Sequence, residues 1–116
     1  MYDTDDLVEA VLRHIAVLDA TETPDADDAT LVTQAYTAKW HELTAHGMEV
    51  TYWKLDEIPE TVFLVLRDLI ALEVRGAFGM PLPAQQKEDE ETLILRRLRR
   101  HVAVQSSGRA TKASFM

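Results

Sequence analysis

Apolar residues recur along this chain at helical rather than strand spacing. In "TDDLVEAVLRHIAVL", residues 4–18, Leu7, Val8, Val11, Leu12, Ile15 and Leu18 return every three or four positions and fall on one face of a 3.6-residue period. Asp3 or Thr4 can cap this helix, and Asp5, Asp6 and Glu9 suit the positive end of its dipole. A polar loop, "DATETPDADDAT", follows. A second helix is predicted from Pro24 or Asp25 to His46, with Gly47 as its left-handed stop. Leu31, Ala35 and Ala38 mark one side of it, and Val32, Tyr36, Trp40 and Leu43 another, which leaves two usable faces. "MEVTYWKLDEIP" reads as an extended connector, because Pro59 disfavours helix just before it.

A third helix begins near Pro59–Glu60 and continues through "TVFLVLRDLIALEVRGAF" to Gly79. It is apolar almost all round. Such a helix sits at the centre of a bundle or is covered by a neighbouring subunit. "GMPLP" breaks the chain, and a fourth helix spans about Ala84 to Val102. After it, "AVQSSGRATKASFM" has no amphipathic period and is expected to be a tail that only a partner orders. The pattern therefore predicts an all-α fold: a small bundle of about four helices over residues 1–102, with an extended C-terminal tail over 103–116.

A chain of 116 residues can bury a core without staples, and it has no cysteine, which removes disulfides, thiol catalysis and cysteine-based zinc sites. The acidic start "MYDTDDLVEA" is the opposite of a secretory leader, and the longest apolar run, "TVFLVL", is cut by Arg67 and Asp68. Neither export by that route nor a membrane partner is expected.

Charge adds more. The net value is −8, but residues 1–60 hold 14 acids and 3 bases while residues 61–116 hold 6 acids and 9 bases. From Thr92 onward there are six Arg or Lys and no acid. A protomer polarised in this way attracts an acidic partner at one end or a copy of itself head to tail; the plainer alternative is a solvated charged surface.

The stretch "ETLILRRLRRHVAV", residues 91–104, concentrates that charge. On a helical wheel Glu91, Ile94, Leu95, Leu98 and Val102 form an apolar seam, and Arg96, Arg97, Arg99 and Arg100 fan across the other side. The acidic start "KEDEE" and basic end complement the helix dipole. Three or four residues on from Asp89, Glu90 and Glu91, however, lie only Thr92, Leu93, Ile94 and Leu95, so these arginines have no acid at pairing distance within the helix. Protein contact ranks first for them, a solvated face second and nucleic acid third. A net-acidic chain opposes phosphate binding, and no helix-turn-helix, zinc-finger or stacking signature accompanies the arginines.

Catalytic motifs are sparse. "HELTAH" approaches a zinc-protease pattern, but His41 and His46 are five apart, about 140° around a helix, where the metal pair needs four. No phosphate loop, nucleotide-binding glycine motif or nucleophile elbow is present, and the paired acids Asp5–Asp6, Asp27–Asp28 and Asp56–Glu57 sit where caps and solubility explain them. No enzyme, cofactor or metal is expected. Tyr36, Trp40, Tyr52 and Trp53 read first as core. Together with arginine they are also the residues of which interface anchors are made, and Phe115, in a polar tail, is a candidate plug for a partner's pocket.

The order of these elements resembles a known family. "DLVEAVLRHIAV", an acidic loop, "LVTQAYTAKWHELTAHG" ending at glycine, and then "IPETVFLVLRDLIALEVRGAFGMP" are similar to the head–tail adaptor proteins of tailed bacteriophages, also called head completion or tail accessory factors. The resemblance covers roughly residues 3 to 81, with a family-like basic helix to about residue 102. It implies a non-enzymatic virion protein, made in the host cytoplasm and placed at the head–tail interface. Such a protein assembles as a homo-oligomeric ring, commonly dodecameric, beneath the portal protein. The ring extends the channel for packaged DNA without sequence-specific binding and offers a docking surface to tail or nozzle proteins. Carried over to this chain, residues 102–116 would reach toward the portal with Phe115 as an anchor, and Arg96, Arg97, Arg99 and Arg100 would bind neighbours or portal. The alternative from another class is a small helical DNA-binding protein, a phage packaging or regulatory factor that uses the arginines of 96–100.

Overall fold

In the computed structural model, residues 1–17, 19, 21–45 and 52–114 are described, with side chains described as far as His101. Among them are four α-helices: α1 (Thr4–His14), α2 (Ala26–Ala45), α3 (Glu60–Val74) and α4 (Ala84–Ser114). A 3₁₀ turn, Arg75–Phe78, extends α3. The fold is all-α, as the apolar spacing predicts, and the described residues contain no strand.

Helix α1 starts in a reciprocal cap. The Asp3 carboxylate accepts from the Asp6 N–H at 2.8 Å, and the Asp6 carboxylate accepts from the Asp3 N–H at 3.1 Å, two aspartates doing what serine and glutamate more often do. The helix ends four residues earlier than the expected Leu18. Ala16 takes a left-handed φ of 61°, its N–H donates to the Arg13 carbonyl, and the Val17 N–H donates to the Leu12 carbonyl at 3.0 Å. These bonds satisfy the last carbonyls as a Schellman motif does, with alanine in the position glycine usually holds. The apolar period therefore continues to Ile15 and Val17 as packed residues after the helix has stopped. Leu18 lies outside the described residues.

Helix α2 is capped by Asp25, whose carbonyl accepts from Ala29 at 2.9 Å. The predicted stop at His46–Gly47 falls outside the described residues. Residues 52–59 form the connector, joined to the N-terminus by an isolated antiparallel bridge between Tyr2 and Ile58, with N···O distances of 2.9 and 2.7 Å. Asp56 fastens the same junction by accepting from the Thr4 N–H at 2.8 Å, and that bond holds its carboxyl below the usual carboxylate range.

Helix α3 is the centre. Nine of its fifteen residues are buried, and it packs against α1, α2 and α4. Its apolarity is consumed inside the chain, so of the two coverings expected for it the bundle centre is the one observed, and no neighbouring subunit is needed to hide it. Leu66, Leu69 and Ile70 are almost fully buried, in one cluster with Leu7, Val11, Leu12, Val32, Tyr36 and Leu98. Leu64 is the exception at 54% exposed. Gly79, at φ 79°, closes the 3₁₀ turn, and Pro81 and Pro83 separate it from α4.

Helix α4 lies antiparallel along α3: Lys87 faces Glu73 at 4.0 Å, and Arg97 faces Asp68 at 3.0 Å. Ile94 and Leu98 are buried on the predicted seam, with Leu95 packed beside them. Its backbone runs as helix to Ser114. The backbone passes the expected helix end near Val102, and the expected start of a tail at 103, without a break; the side chains of 102–114, with Phe115 and Met116, lie outside the described residues.

Substituting Leu69→Ala, fully buried at the heart of α3, is expected to cost about 3 kcal/mol. Leu64→Lys on the exposed side of the same helix should change stability by less than about 0.5 kcal/mol. Urea unfolding followed by helical circular dichroism checks both; equal losses would contradict the central placement of α3.

Candidate functional site

A groove of about 590 Å³ opens where the end of α1, the outer side of α3 and the middle of α4 meet. Helical spacing builds its walls. On α3 and the turn that extends it, Asp68, Ala71, Leu72 and Arg75 fall at three- and four-residue spacing; on α4, Glu90, Leu93, Ile94 and Arg97 do the same. The early end of α1 matters here, because the turn through Ile15 and Ala16 forms the third wall. The floor is apolar, the rim is charged, and the volume falls in the range typical of ligand and peptide sites.

Asp68 organises one end of the groove. Its carboxylate accepts from Arg97 Nη1 at 3.0 Å and from Arg67 Nη2 at 3.0 Å, and His14 Nε2 lies 3.6 Å away. Three helices thus converge on one acid. At the other end the Arg75 Nε donates to the Met80 carbonyl at 2.8 Å and ties the 3₁₀ turn to the segment after it. Leu93, 55% exposed, and Met80 leave apolar surface open along the groove.

The sequence-predicted residues are dispersed around this feature. Arg97 lines the groove and finds its acid on α3, twenty-nine positions away, which answers the missing partner within the helix. Arg96, Arg99 and Arg100 are exposed on α4. Arg96 and Arg100 lie one turn apart, with no ion pair among the described residues. Trp53 is buried, and its indole N–H donates to the Tyr36 hydroxyl at 3.2 Å, so its surface is spent in the core. Tyr52 packs edge-on against Trp53 and keeps an exposed side, its hydroxyl 3.3 Å from Thr61 Oγ1. Trp40 is half-buried beside the core with its ring edge-on to His41, and its buried Nε1 has no hydrogen-bond partner among the described residues. Phe115 lies outside the described residues.

The strongest polar feature was not singled out from the sequence. Lys39 is 8% exposed, and its ammonium contacts Glu73 at 3.0 Å, Glu42 at 3.2 Å and Glu91 at 3.2 Å. One cation therefore joins α2, α3 and α4. Burial alone lowers its pKa, but the hydrogen bonds and charges of Glu73, Glu42 and Glu91 outweigh that and hold it above the ordinary lysine range. The signal was in the spacing: Val32, Tyr36, Lys39 and Leu43 form one i, i+4, i+7, i+11 row, in which Trp40 is a flank. Close by, Tyr36 donates to the Leu55 carbonyl at 2.7 Å while accepting from Trp53. Burial, against the opposing Trp53 bond and with a contribution from Asp56, pushes its pKa up to about 12.

Among the described residues no cluster of His, Asp or Glu is arranged to hold a metal, and no helix is long and apolar enough to cross a membrane. No family model, curated protein or solved structure matches this chain. The described residues offer an apolar groove with a mixed-charge rim, and exposed arginines on α4.

Lys39→Met leaves three glutamates facing one another and is expected to cost about 2–4 kcal/mol at pH 7. In the unmodified protein, Lys39 and Tyr36 both have raised folded pKa values. Their stabilisation is full below the unfolded values, about 10, and is lost as pH rises through the folded ones. Denaturant unfolding at pH 7 and 11 tests both effects; a Lys39→Met variant as stable as the unmodified protein at pH 7, or an unmodified protein equally stable at the two pH values, would refute the electrostatic account.

Proposed function

We propose that this protein is a structural assembly component, a head–tail adaptor that forms a ring beneath a phage portal, extends the DNA channel and presents a docking surface to tail or nozzle proteins. The observation that carries the reading is the polarity of the protomer: Arg96 and Arg100 stand exposed on α4, in a chain whose first sixty residues hold 14 acids and 3 bases. The resemblance over residues 3–81 supports it, as do the open groove and the exposed side of Tyr52. The four-helix order of the fold agrees with the helices on which that resemblance rests. In this role the chain is not a catalyst, and packaged DNA passes an acidic wall without sequence-specific contact.

The exposed pair Arg96 and Arg100 also favours a second reading, phosphate contact by a small DNA-binding packaging or regulatory protein. The two readings separate in solution. The adaptor reading expects purified protein mixed with portal rings to add a layer visible by electron microscopy, with attachment lost when residues 103–116 are deleted. The DNA reading expects duplex affinity of the isolated protein that falls steeply with salt and disappears when Arg96, Arg97, Arg99 and Arg100 become glutamate. Binding of duplex with no layer on portal rings would reverse the ranking.

A further inference from the structure

The groove between α1, α3 and α4 has a candidate occupant in the chain itself. The antiparallel register that sets Arg97 beside Asp68 matches the start of α3, Glu60, to about residue 105 of α4. Helix α4 has 31 residues, about 46 Å of helix, so its last turns extend past Glu60, where α3 begins, and have none of that helix left to lie on. Glu90, Leu93 and Arg97 of the groove are carried by the earlier part of the same helix, which a continuing helix cannot fold back to meet. Only another copy can bring that segment to the groove.

Composition fits the two surfaces. "RATKASFM", residues 109–116, carries Arg109 and Lys112, no acid, and the apolar pair Phe115 and Met116. The groove offers an apolar floor at Leu72 and Ile94, open apolar surface at Leu93 and Met80, and the Glu90 carboxylate; its other acid, Asp68, is already paired with Arg97, and Arg75 also lines it. Glu90 has only a 3.4 Å contact from the amide of Gln86 among the described residues, which leaves it acceptor capacity for a cation.

We propose that residues 109–116 of one copy dock in the α1–α3–α4 groove of the next, with Phe115 over Leu72 and Ile94 and with Arg109 or Lys112 on Glu90. The contact is heterologous, because each copy donates a segment and receives one. Repeated with a fixed rotation, it generates a closed ring or a filament. The proposal deepens the assembly reading and rests on it for its biological setting; the contact itself is testable without any phage component.

The chain has no cysteine, which permits a clean trap. Leu93→Cys and Phe115→Cys introduced together into the full chain are expected to give, on mild oxidation, a ladder of disulfide-linked multimers in non-reducing gels, reversed by reductant. Mixing the two single variants should stop at a linked heterodimer. Pairing Phe115→Cys with Leu31→Cys, on exposed α2 surface, should give at least tenfold less product. Circular dichroism of each variant confirms that the helices persist. A monomer with an internal crosslink, a yield equal to that of the Leu31 control, or no crosslink in folded protein would each overturn the proposal. If portal rings still gain a layer in such a case, the adaptor reading stands and only the groove contact falls.

Discussion

A helix that is apolar on nearly every side can be hidden only if other helices lie against most of its circumference. Helix α3 imposes that requirement, and the rest of the fold is arranged to meet it. Helices α1, α2 and α4 each give it one apolar stripe, and each keeps its polar side outward. The connector and N-terminus close the remaining side, with Ile58 and Phe63 buried and Tyr2 stacked on Phe63 at 3.9 Å. Full burial of a leucine or isoleucine is worth roughly 1.5–3 kcal/mol, so the nine buried positions of α3 outweigh any single surface ion pair in the molecule.

Packing of this kind is non-directional, and polar contacts supply the register. Lys39 is placed where α2, α3 and α4 approach one another, and its three glutamates come from all three helices. A sliding of α4 by one turn would separate Glu91 from that ammonium and Arg97 from Asp68 together. Along α4 the buried Ile94 lies between Glu91 and Arg97, and the buried Leu98 follows directly after Arg97. Lys39 and its glutamates taken together add little net stability compared with a wholly apolar cluster of the same shape, while loss of the lysine alone leaves the acids uncompensated.

The same architecture decides where apolar and cationic surface is left over. Since α3 is largely satisfied internally, exposed apolar surface is found at Leu64 on its open side, at Leu93 and Met80 along the groove and at Tyr52 on the connector. The helix overrun is a second consequence. Helix α4 is about twice as long as the helix it packs on.

Helix number, the amphipathic stripes of α1 and α4, the central character of α3 and the breaks at Pro59 and at Pro81–Pro83 are all legible in the order of residues, because each depends on neighbours within one or two turns. So is the uneven charge. The early end of α1 is not, since Ala16 in a left-handed turn has no local signature. Nor is the fate of the aromatics: Trp53 and Tyr52 are adjacent, and only the path of the connector over α2 and α3 puts one indole inside and leaves one phenol ring partly in water. Lys39 was visible as a member of an apolar row, but its three acids stand three, thirty-four and fifty-two positions away, and nothing local brings them together. The groove belongs wholly to the tertiary level. It exists because three helices that meet at α3 do not quite fill the angle between them, and a packing angle is a property of pairs of surfaces that no single stretch of chain contains.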